Sequence, residues 1–305
     1  MTNKLTGTYV FKQDGVEIGR SKNIITTNGT TAILQYLSGN SSDWAGSMAV
    51  GCIGNTARVT DLSLTYEIAR SAIASKSYRT GTTGYSTNLL ILKGRIDPQI
   101  SGNIYEVGIF PYNTDSVFGI RDKLIITDFS SPSDWATLAG TYTTTSYSAQ
   151  GAFSPRVGLY NINLVNSSTI SNSNFVIDLS NYSSLDTLDA LVYVNSTNYG
   201  TLNVTLTDVQ SVSRTVSFSF DGRVTAGYQV LSSNFPADIS SLANISTVTI
   251  QASGVYSDIT LDSIKVSILG EISNSTALIS RSVLTTPIAK IYAIPLDIEY
   301  YLELG

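Results

Sequence analysis

The hydrophobic positions along this chain recur with a period of two. Leu62, Leu64, Tyr66 and Ile68 alternate with Ser63, Thr65 and Glu67. Leu202, Val204 and Leu206 alternate with Thr and Asn, and Val216, Phe218 and Phe220 follow with serines between them. Successive side chains of a strand point to opposite faces, so these runs predict strands with one buried face. Shorter apolar runs at 89–92, 105–110 and 124–126, bounded by Gly, Pro or Asp, predict further strands. At the carboxyl end Leu296, Ile298, Tyr300, Leu302 and Leu304 occupy even positions, with Asp297, Glu299, Tyr301 and Glu303 between them. A strand of that regularity is expected to be tied into a sheet rather than left as a tail.

Helix is scarce. The best candidate runs over 29–37, with Asn28 as its N-cap and Ile33, Leu34 and Leu37 at helical spacing. Residues 186–191 suit one turn at most. Composition shifts twice. From 128 to 147 the chain becomes rich in Ser, Thr, Tyr and Gly, with Trp135 as the bulky anchor, and 271–276 resembles a linker. Between these shifts, apolar runs at 175–179, 191–194, 202–206, 216–220, 228–231, 248–250 and 264–269 are separated by turn residues. Strands at that spacing predict a β-sandwich or jelly roll.

Composition narrows the chemistry. The 305 residues contain no His and one Cys, 13% are charged, and 18 are Tyr. The missing His removes the side chain that titrates near neutrality and the commonest metal ligand. The net charge is −5 and no Lys/Arg stripe is present, so nucleic acid is not an expected partner. Cys52 sits in an apolar run and is expected to be a small buried residue without an intrachain disulfide. Residues 1–4 lack the apolar core of a signal peptide, and no apolar run of about 18 residues occurs. The expectation is synthesis in a cytoplasm without membrane insertion. The Asn-x-Ser/Thr triplets fall in a chain so rich in these residues that chance accounts for them.

Ser and Thr nucleophiles have no His base here, and no Gly-x-Ser-x-Gly elbow occurs. Gly81-Thr-Thr-Gly84 lacks the Lys-Ser/Thr ending of a phosphate loop. A carboxylate pair of the glycosidase kind is the remaining catalytic route. The chain is expected not to be an enzyme and to carry no cofactor.

Two segments carry resemblances. Phe175-Val-Ile-Asp178-Leu-Ser180 with Tyr182 and Asp186, and Thr260-Leu-Asp262-Ser-Ile264-Lys-Val266, resemble the opening and closing strands of galactose-binding-like, carbohydrate-binding-module-like jelly rolls. That resemblance covers roughly residues 140 to 270. The flanks resemble the attachment region of tailed-bacteriophage appendage proteins. The pieces occur in order: Asn23-Ile-Ile-Thr-Thr-Asn28-Gly29, Ala49-Val-Gly51, Asp61-Leu-Ser-Leu64 with Glu67 and Arg70, and Glu106-Val-Gly108-Ile-Phe110. The family's closing pieces, Ser280-Arg281-Ser-Val283-Leu284, Lys290 and the last alternating strand, return some 170 residues later.

Together these imply an all-β chain: a β-sandwich attachment domain with one short helix, interrupted by an inserted jelly-roll β-sandwich domain. The expected boundaries are 1–128, 129–270 and 271–305. The resemblance implies a structural component of a tailed-phage virion, from the tail fibre, baseplate or neck, located on the virion and made in the host cytoplasm. Its partners would be other virion proteins in a symmetric homo-oligomer, with host-surface polysaccharide as a further contact. A capsid decoration protein is the alternative, and a carbohydrate-binding module or depolymerase a third. Tyr142, Tyr147, Tyr182, Tyr193, Tyr199, Tyr228 and Tyr256 are surface candidates, since a ring can stack on a sugar or fill an interface. Of these Tyr199 and Tyr256, expected in loops, are preferred, and Trp135 is a further candidate for a glycan or interface contact. Glu67, Arg70, Glu106 and Arg281 are candidates for a structural ion cluster. Modules of the resembled kind hold a structural calcium ion, for which Asp178 and Asp262, with Asp186, Asp189 and Asp258, would supply oxygen ligands.

Overall fold

The computed structural model describes residues 5–41, 43–79, 89–98, 100–111, 125–146, 155–267 and 278–304. The protein is all-β with one α-helix among these residues. The chain forms two compact units: 1–120 with 153–155 and 271–305, and 121–152 with 156–270.

The first unit opens with β1 (Leu5–Gln13), β2 (Val16–Lys22), β3 (Ile24–Ile25) and α1 (Thr27–Leu37), then β4 (Ser47–Gly51), β5 (Glu67–Arg79), β6 (Leu89–Ile96) and β7 (Gly102–Phe110). It is completed by the last two strands of the chain, β19 (Ser280–Lys290) and β20 (Leu296–Leu304). They form one nine-stranded sheet in the order β2-β1-β20-β6-β5-β4-β7-β19-β3. Its two outermost strands, β2 and β3, are separated in sequence by Asn23 alone, so the sheet must curl until its ends meet. Side chains hold that seam: the hydroxyls of Ser21 and Ser282 lie 2.6 Å apart, and Asn23 Nδ2 donates to Ser280 Oγ and Tyr300 Oη, each at 2.8 Å. The interior side of β20 is the even series read from the sequence, with Leu296, Ile298 and Tyr300 fully buried.

The helix begins two residues earlier than expected. Its N-cap is Thr26, whose Oγ1 accepts the Gly29 amide at 2.9 Å, and Asn28 lies inside the first turn. Thr26 wins because its hydroxyl also donates to the carbonyl of Leu278, which ties the cap to the returning chain. A Cβ on Gly29 would lie 2.0 Å from the Ile279 carbonyl oxygen, so only glycine allows that approach. The run 62–68 also differs from expectation. Leu64, Tyr66 and Ile68 are buried, but strand pairing starts at Glu67 and Leu62 is exposed.

The second unit begins with β8 (Ile125–Thr127), which pairs with its last strand, so the chain has entered it before residue 128. It continues with β9 (Ala136–Ala139), β10 (Tyr142–Ser146), β11 (Tyr160–Leu164), β12 (Thr169–Asn172), β13 (Thr187–Val194) and β14 (Tyr199–Asp208). β15 (Ser213–Asp221), β16 (Gly227–Asn234), β17 (Ile245–Tyr256) and β18 (Ile259–Ser267) complete it. One sheet has the order β10-β11-β18-β13-β16, with β8 on β18, and the other β15-β14-β17-β12-β9. From β13 onward the chain passes repeatedly between sheets, giving a jelly-roll sandwich. A single apolar core lies between the sheets, with Leu202, Val204 and Leu206 on one side and Ala190, Val192 and Val194 on the other. The segment 175–179 is not a strand. It makes one bridge, Ile177 with Ile245, and leaves Val176 96% exposed, because the Asx turn of Asp178 ends its extension.

Candidate functional site

Two aromatic side chains mark one end of the second unit. Tyr199 opens β14 and Tyr256 closes β17; the strands are antiparallel neighbours, which makes the two residues partners in register. Their ring centroids are 5.8 Å apart at 42°, and Tyr256 is 54% exposed. A register shift between Tyr199 and Thr201 adjusts the pairing at this end. Gly200 makes room, since a Cβ there would approach the Ser253 carbonyl oxygen to 2.5 Å. The Arg223 guanidinium lies over the Tyr199 ring at 3.9 Å, within cation–π range. Arg223 is itself gripped by Asp221, with Nε to Oδ1 at 2.8 Å and Nη2 to Oδ2 at 2.7 Å. That pairing holds the Asp221 carboxyl below the usual range. The platform is therefore two phenol rings and a guanidinium whose charge is already balanced.

The loops beneath it brace one another. Asn198 Nδ2 donates to the Asp258 carbonyl at 3.0 Å, the Asn166 amide donates to Asp258 Oδ1 at 2.8 Å, and the Ser257 amide to Asn166 Oδ1 at 2.8 Å. Short Asn and Asp side chains that satisfy loop amides fix the conformation before any ligand arrives. By strand direction this end is opposite the one where β8 enters and β18 leaves.

From the tyrosines an uncharged face runs down the sheet. The outward positions of its three strands β14, β15 and β17 (odd-numbered in 201–207, 213–219 and 247–253) are all Ser, Thr, Asn or Gln. Side chains pair across strands: Thr205 with Thr215 and Thr207 with Ser213, both at 2.8 Å, and Ser217 Oγ donating to Asn203 Oδ1 at 2.8 Å. The period-two pattern marked which residues face outward; it did not mark that these hydroxyls form ladders.

Other expected site residues fall elsewhere. Trp135 is 4% exposed, packed against Phe129 and Phe175 with centroids at 5.3 and 6.0 Å, so it is a core residue and no surface contact. The Ser/Thr-rich segment around it misled because the ring faces the sandwich interior. Tyr182 is also buried, and the Tyr142 hydroxyl donates to the Trp135 carbonyl at 2.8 Å. Tyr193 and Tyr228 form a second ring pair with centroids 5.1 Å apart, on β13 and β16. Tyr147 lies outside the described residues.

The calcium donor set does not assemble. Among the described residues no three acidic side chains converge in a group that could hold a metal ion. Asp178 and Asp186 cap local turns through the amides of Ser180 and Ser183, and Asp189 accepts from Thr187 and Ser267. Asp262 accepts the Val157 amide at 2.7 Å through Oδ1, while its Oδ2 is buried without a hydrogen-bond partner. Burial pushes the Asp262 carboxyl well above the usual range, helped by nearby Asp128 and opposed by the Val157 and Ser263 bonds.

The four charged candidates of the first unit sit on strands of its sheet as two separate ion pairs, Glu67 with Arg70 and Glu106 with Arg281. Gly51 of β4 is in register with Glu67 on one side and Glu106 on the other. Glu67 pairs with Arg70 at 2.7 Å, and Arg70 stacks on Phe110. Arg281 pairs with Glu106 and also with Asp61, each at 2.6 Å, and donates to Thr65 at 2.7 Å. Asp61 was not identified as a partner from the sequence, although it opens one of the quoted motifs. A shallow pocket of about 330 Å³ on the same unit is lined by Lys12, Lys93, Arg95, Asp297 and Glu299. Its charges are paired with one another.

No protein-family model matches the chain, and no curated protein sequence does. Several solved structures resemble part of it. A family 11 carbohydrate-binding module from Clostridium thermocellum, in complex with a mixed-linked tetrasaccharide, aligns at 13% identity and a TM-score of 0.32, over 47% of this chain and 94% of that one. A family 6 carbohydrate-binding module from Clostridium cellulolyticum in complex with xylose aligns at 12% and 0.30, over 41% and 86%. The enzymatically active domain of tailspike protein 4 from bacteriophage CBA120 aligns at 12% and 0.31, over 46% of this chain and 20% of that one. Likenesses at these scores carry no functional argument.

Proposed function

We propose that this chain is a non-catalytic structural component of a tailed-phage virion, whose jelly roll presents Tyr199 and Tyr256 to host-surface glycan. The ordered appendage-type motifs of the flanking segments support the virion setting. The observation that carries the contact role is the exposed ring of Tyr256, braced against half-buried Tyr199, at the end of the jelly roll opposite the one where β8 enters and β18 leaves. A sugar ring stacks its C–H face on a phenol ring while its hydroxyls exchange hydrogen bonds with neighbouring Ser, Thr and Asn groups. In a symmetric homo-oligomer, contacts of millimolar strength, about 4 kcal/mol each, gain about 10²- to 10⁴-fold through multivalency. Recognition is then by shape and polar complementarity. The discontinuous unit docks on other virion proteins.

Two measurements test this reading. Antibody labelling of purified virions should place the protein on the particle; protein found only free in the lysate would remove the virion role. Full-length protein should bind host-surface polysaccharide, and Tyr256→Ala, at the exposed ring, should abolish that binding while the protein still melts cooperatively. Release of reducing ends from the polysaccharide would overturn the non-catalytic assignment.

A further inference from the structure

We infer that β16 is an interface strand, whose free edge pairs antiparallel, about a two-fold axis, with β16 of a second copy of this chain. This goes beyond the glycan contact above and does not depend on it. β16 ends the path β10-β11-β18-β13-β16 and is bonded to β13. That pairing runs without a shift from Thr187 with Asn234 to Val194 with Gly227, so the strand is regular over its eight residues. Among the described residues no backbone hydrogen bond reaches its other side. In a strand with one neighbour, every second residue turns its N–H and C=O away from the sheet.

Folded proteins blunt such edges with charge, shortness or cover. The other outermost strands are blunted in this way. β3, β9 and β10 have two, four and five residues, β2 carries Glu17, Arg20 and Lys22, and β15 carries Arg214 and Asp221. β16 is long and reads Gly-Tyr-Gln-Val-Leu-Ser-Ser-Asn. Its row of backbone donors and acceptors is a template for strand addition.

Symmetry and charge choose the second copy. Leu231 belongs to the core, so Tyr228, Val230 and Ser232 form the outward series of the strand. A two-fold axis at Val230 sets Val230 opposite its own copy and Tyr228 opposite Ser232. Outward residues then meet outward ones, Gln229 meets Leu231 on the inner side, and each N–H meets a C=O. The β-branched pair at the axis adds a favourable cross-strand contact. Before the strand lies the ion pair of Arg223 with Asp221, and after it Asp238, held by Arg214. The antiparallel arrangement brings each end of the edge to the other end of the copy. Arg223 and Asp221 therefore approach Arg214 and Asp238, and neither cation is set against its own copy. The pair is isologous and closed, so it stops at two copies.

The test uses the full-length protein. Sedimentation over a concentration series measures its oligomeric state, and amide hydrogen exchange locates the contact. The parent is expected to dimerise with a micromolar dissociation constant, since an interface of two edge strands is small. The amides of 228–233 should exchange more slowly as the dimer forms. Val230→Lys and Val230→Glu each set like charges at the axis and should each weaken the dimer by about tenfold or more. Mixing the two variants should restore the affinity to within about threefold of the parent, because opposite charges then meet. Misfolded variants could not give that rescue. A parent that stays monomeric at millimolar concentration would overturn the second copy as occupant and leave the edge to a strand of another chain. A dimer that both charged variants leave intact, or whose protection lies outside 228–233, would put the interface elsewhere and overturn the pairing. Variants that are monomeric alone and in mixture would overturn the axis at Val230.

Discussion

Arg281 Nη2 and Glu106 Oε2 meet at 2.6 Å, although 175 residues of chain separate them. Both are buried, on adjacent strands β19 and β7. Burial pushes the Glu106 carboxyl up, and Arg281 and the amides of Tyr66 and Thr65 oppose that shift. The pair therefore fixes the register with which the end of the chain rejoins its beginning. Arg281→Met should cost about 3–5 kcal/mol, because it leaves a buried carboxylate without its partner. Adding Glu106→Gln should recover part of that loss. Urea unfolding monitored by tryptophan fluorescence measures both, and additive effects would show that the pair does not act as a unit.

The cap of α1 depends on the same return. Thr26→Ala removes the acceptor for the Gly29 amide and the donor to the Leu278 carbonyl. A loss of about 1–2 kcal/mol is expected, at the upper end of N-cap effects. Thr26→Ser should retain most of the stability in the same unfolding assay.

Two carboxylates give opposite pH dependences. Burial works to raise the Glu299 pKa, but hydrogen bonds from Lys12, Tyr301 and Lys93 outweigh it and bring it down to about 2. Its unfolded value is higher, so its stabilisation is present above the unfolded pKa and is lost as pH falls toward 2. Glu299→Gln should flatten the acid limb of the stability curve.

Asp262 behaves in the other sense. Its folded pKa lies above its unfolded one, so its contribution is full below the unfolded pKa and is lost as pH rises through the folded value. Asp262→Asn keeps an acceptor for the Val157 amide and removes the ionisation. The variant should equal or exceed the parent in melting temperature at pH 8, with a smaller difference at pH 4. A melting temperature that falls by the same amount at both values would mean that the carboxyl acts by packing alone.

The second unit should be removable. Joining Ile120 to Glu271 through a short Gly/Ser linker deletes it, together with 153–155 of the first unit. The product should melt cooperatively, since β19 and β20 are each paired on both sides within the nine-stranded sheet, β20 between β1 and β6 and β19 between β7 and β3. Residues 1–120 alone should fail to fold. Calorimetry of the two chains decides the matter, and a cooperative melt of 1–120 would exclude a discontinuous domain.

Much of the fold was legible in the chain. The even-numbered series from Leu296, and the alternation of Leu202, Val204 and Leu206 with polar residues, each identified a strand and its buried face. Leu62 and Val176 show where the same pattern overreached, since both sit in apolar-looking runs yet are exposed. The candidate site was legible only in part. Tyr199 and Tyr256 were legible as candidates only as loop tyrosines, whereas they begin β14 and end β17, and nothing in a sequence that separates them by 57 residues said their rings would meet. Trp135, set in a Ser/Thr-rich segment and expected as a contact residue, packs in the core.

The sequence by itself determined the local order of this protein: strand positions, inward and outward faces, and the poverty of titrating groups. Those follow from a two-residue repeat and from composition, which are local properties, and they held except where 62–66 and 175–179 failed to pair as strands. Only the tertiary structure decided which strands became neighbours. It thereby decided that Arg281 meets Glu106 and Asp61, that Arg223 covers Tyr199, and that hydroxyls from three strands form one uncharged face. These depend on pairings between distant segments, where register and direction place side chains together that no local pattern connects.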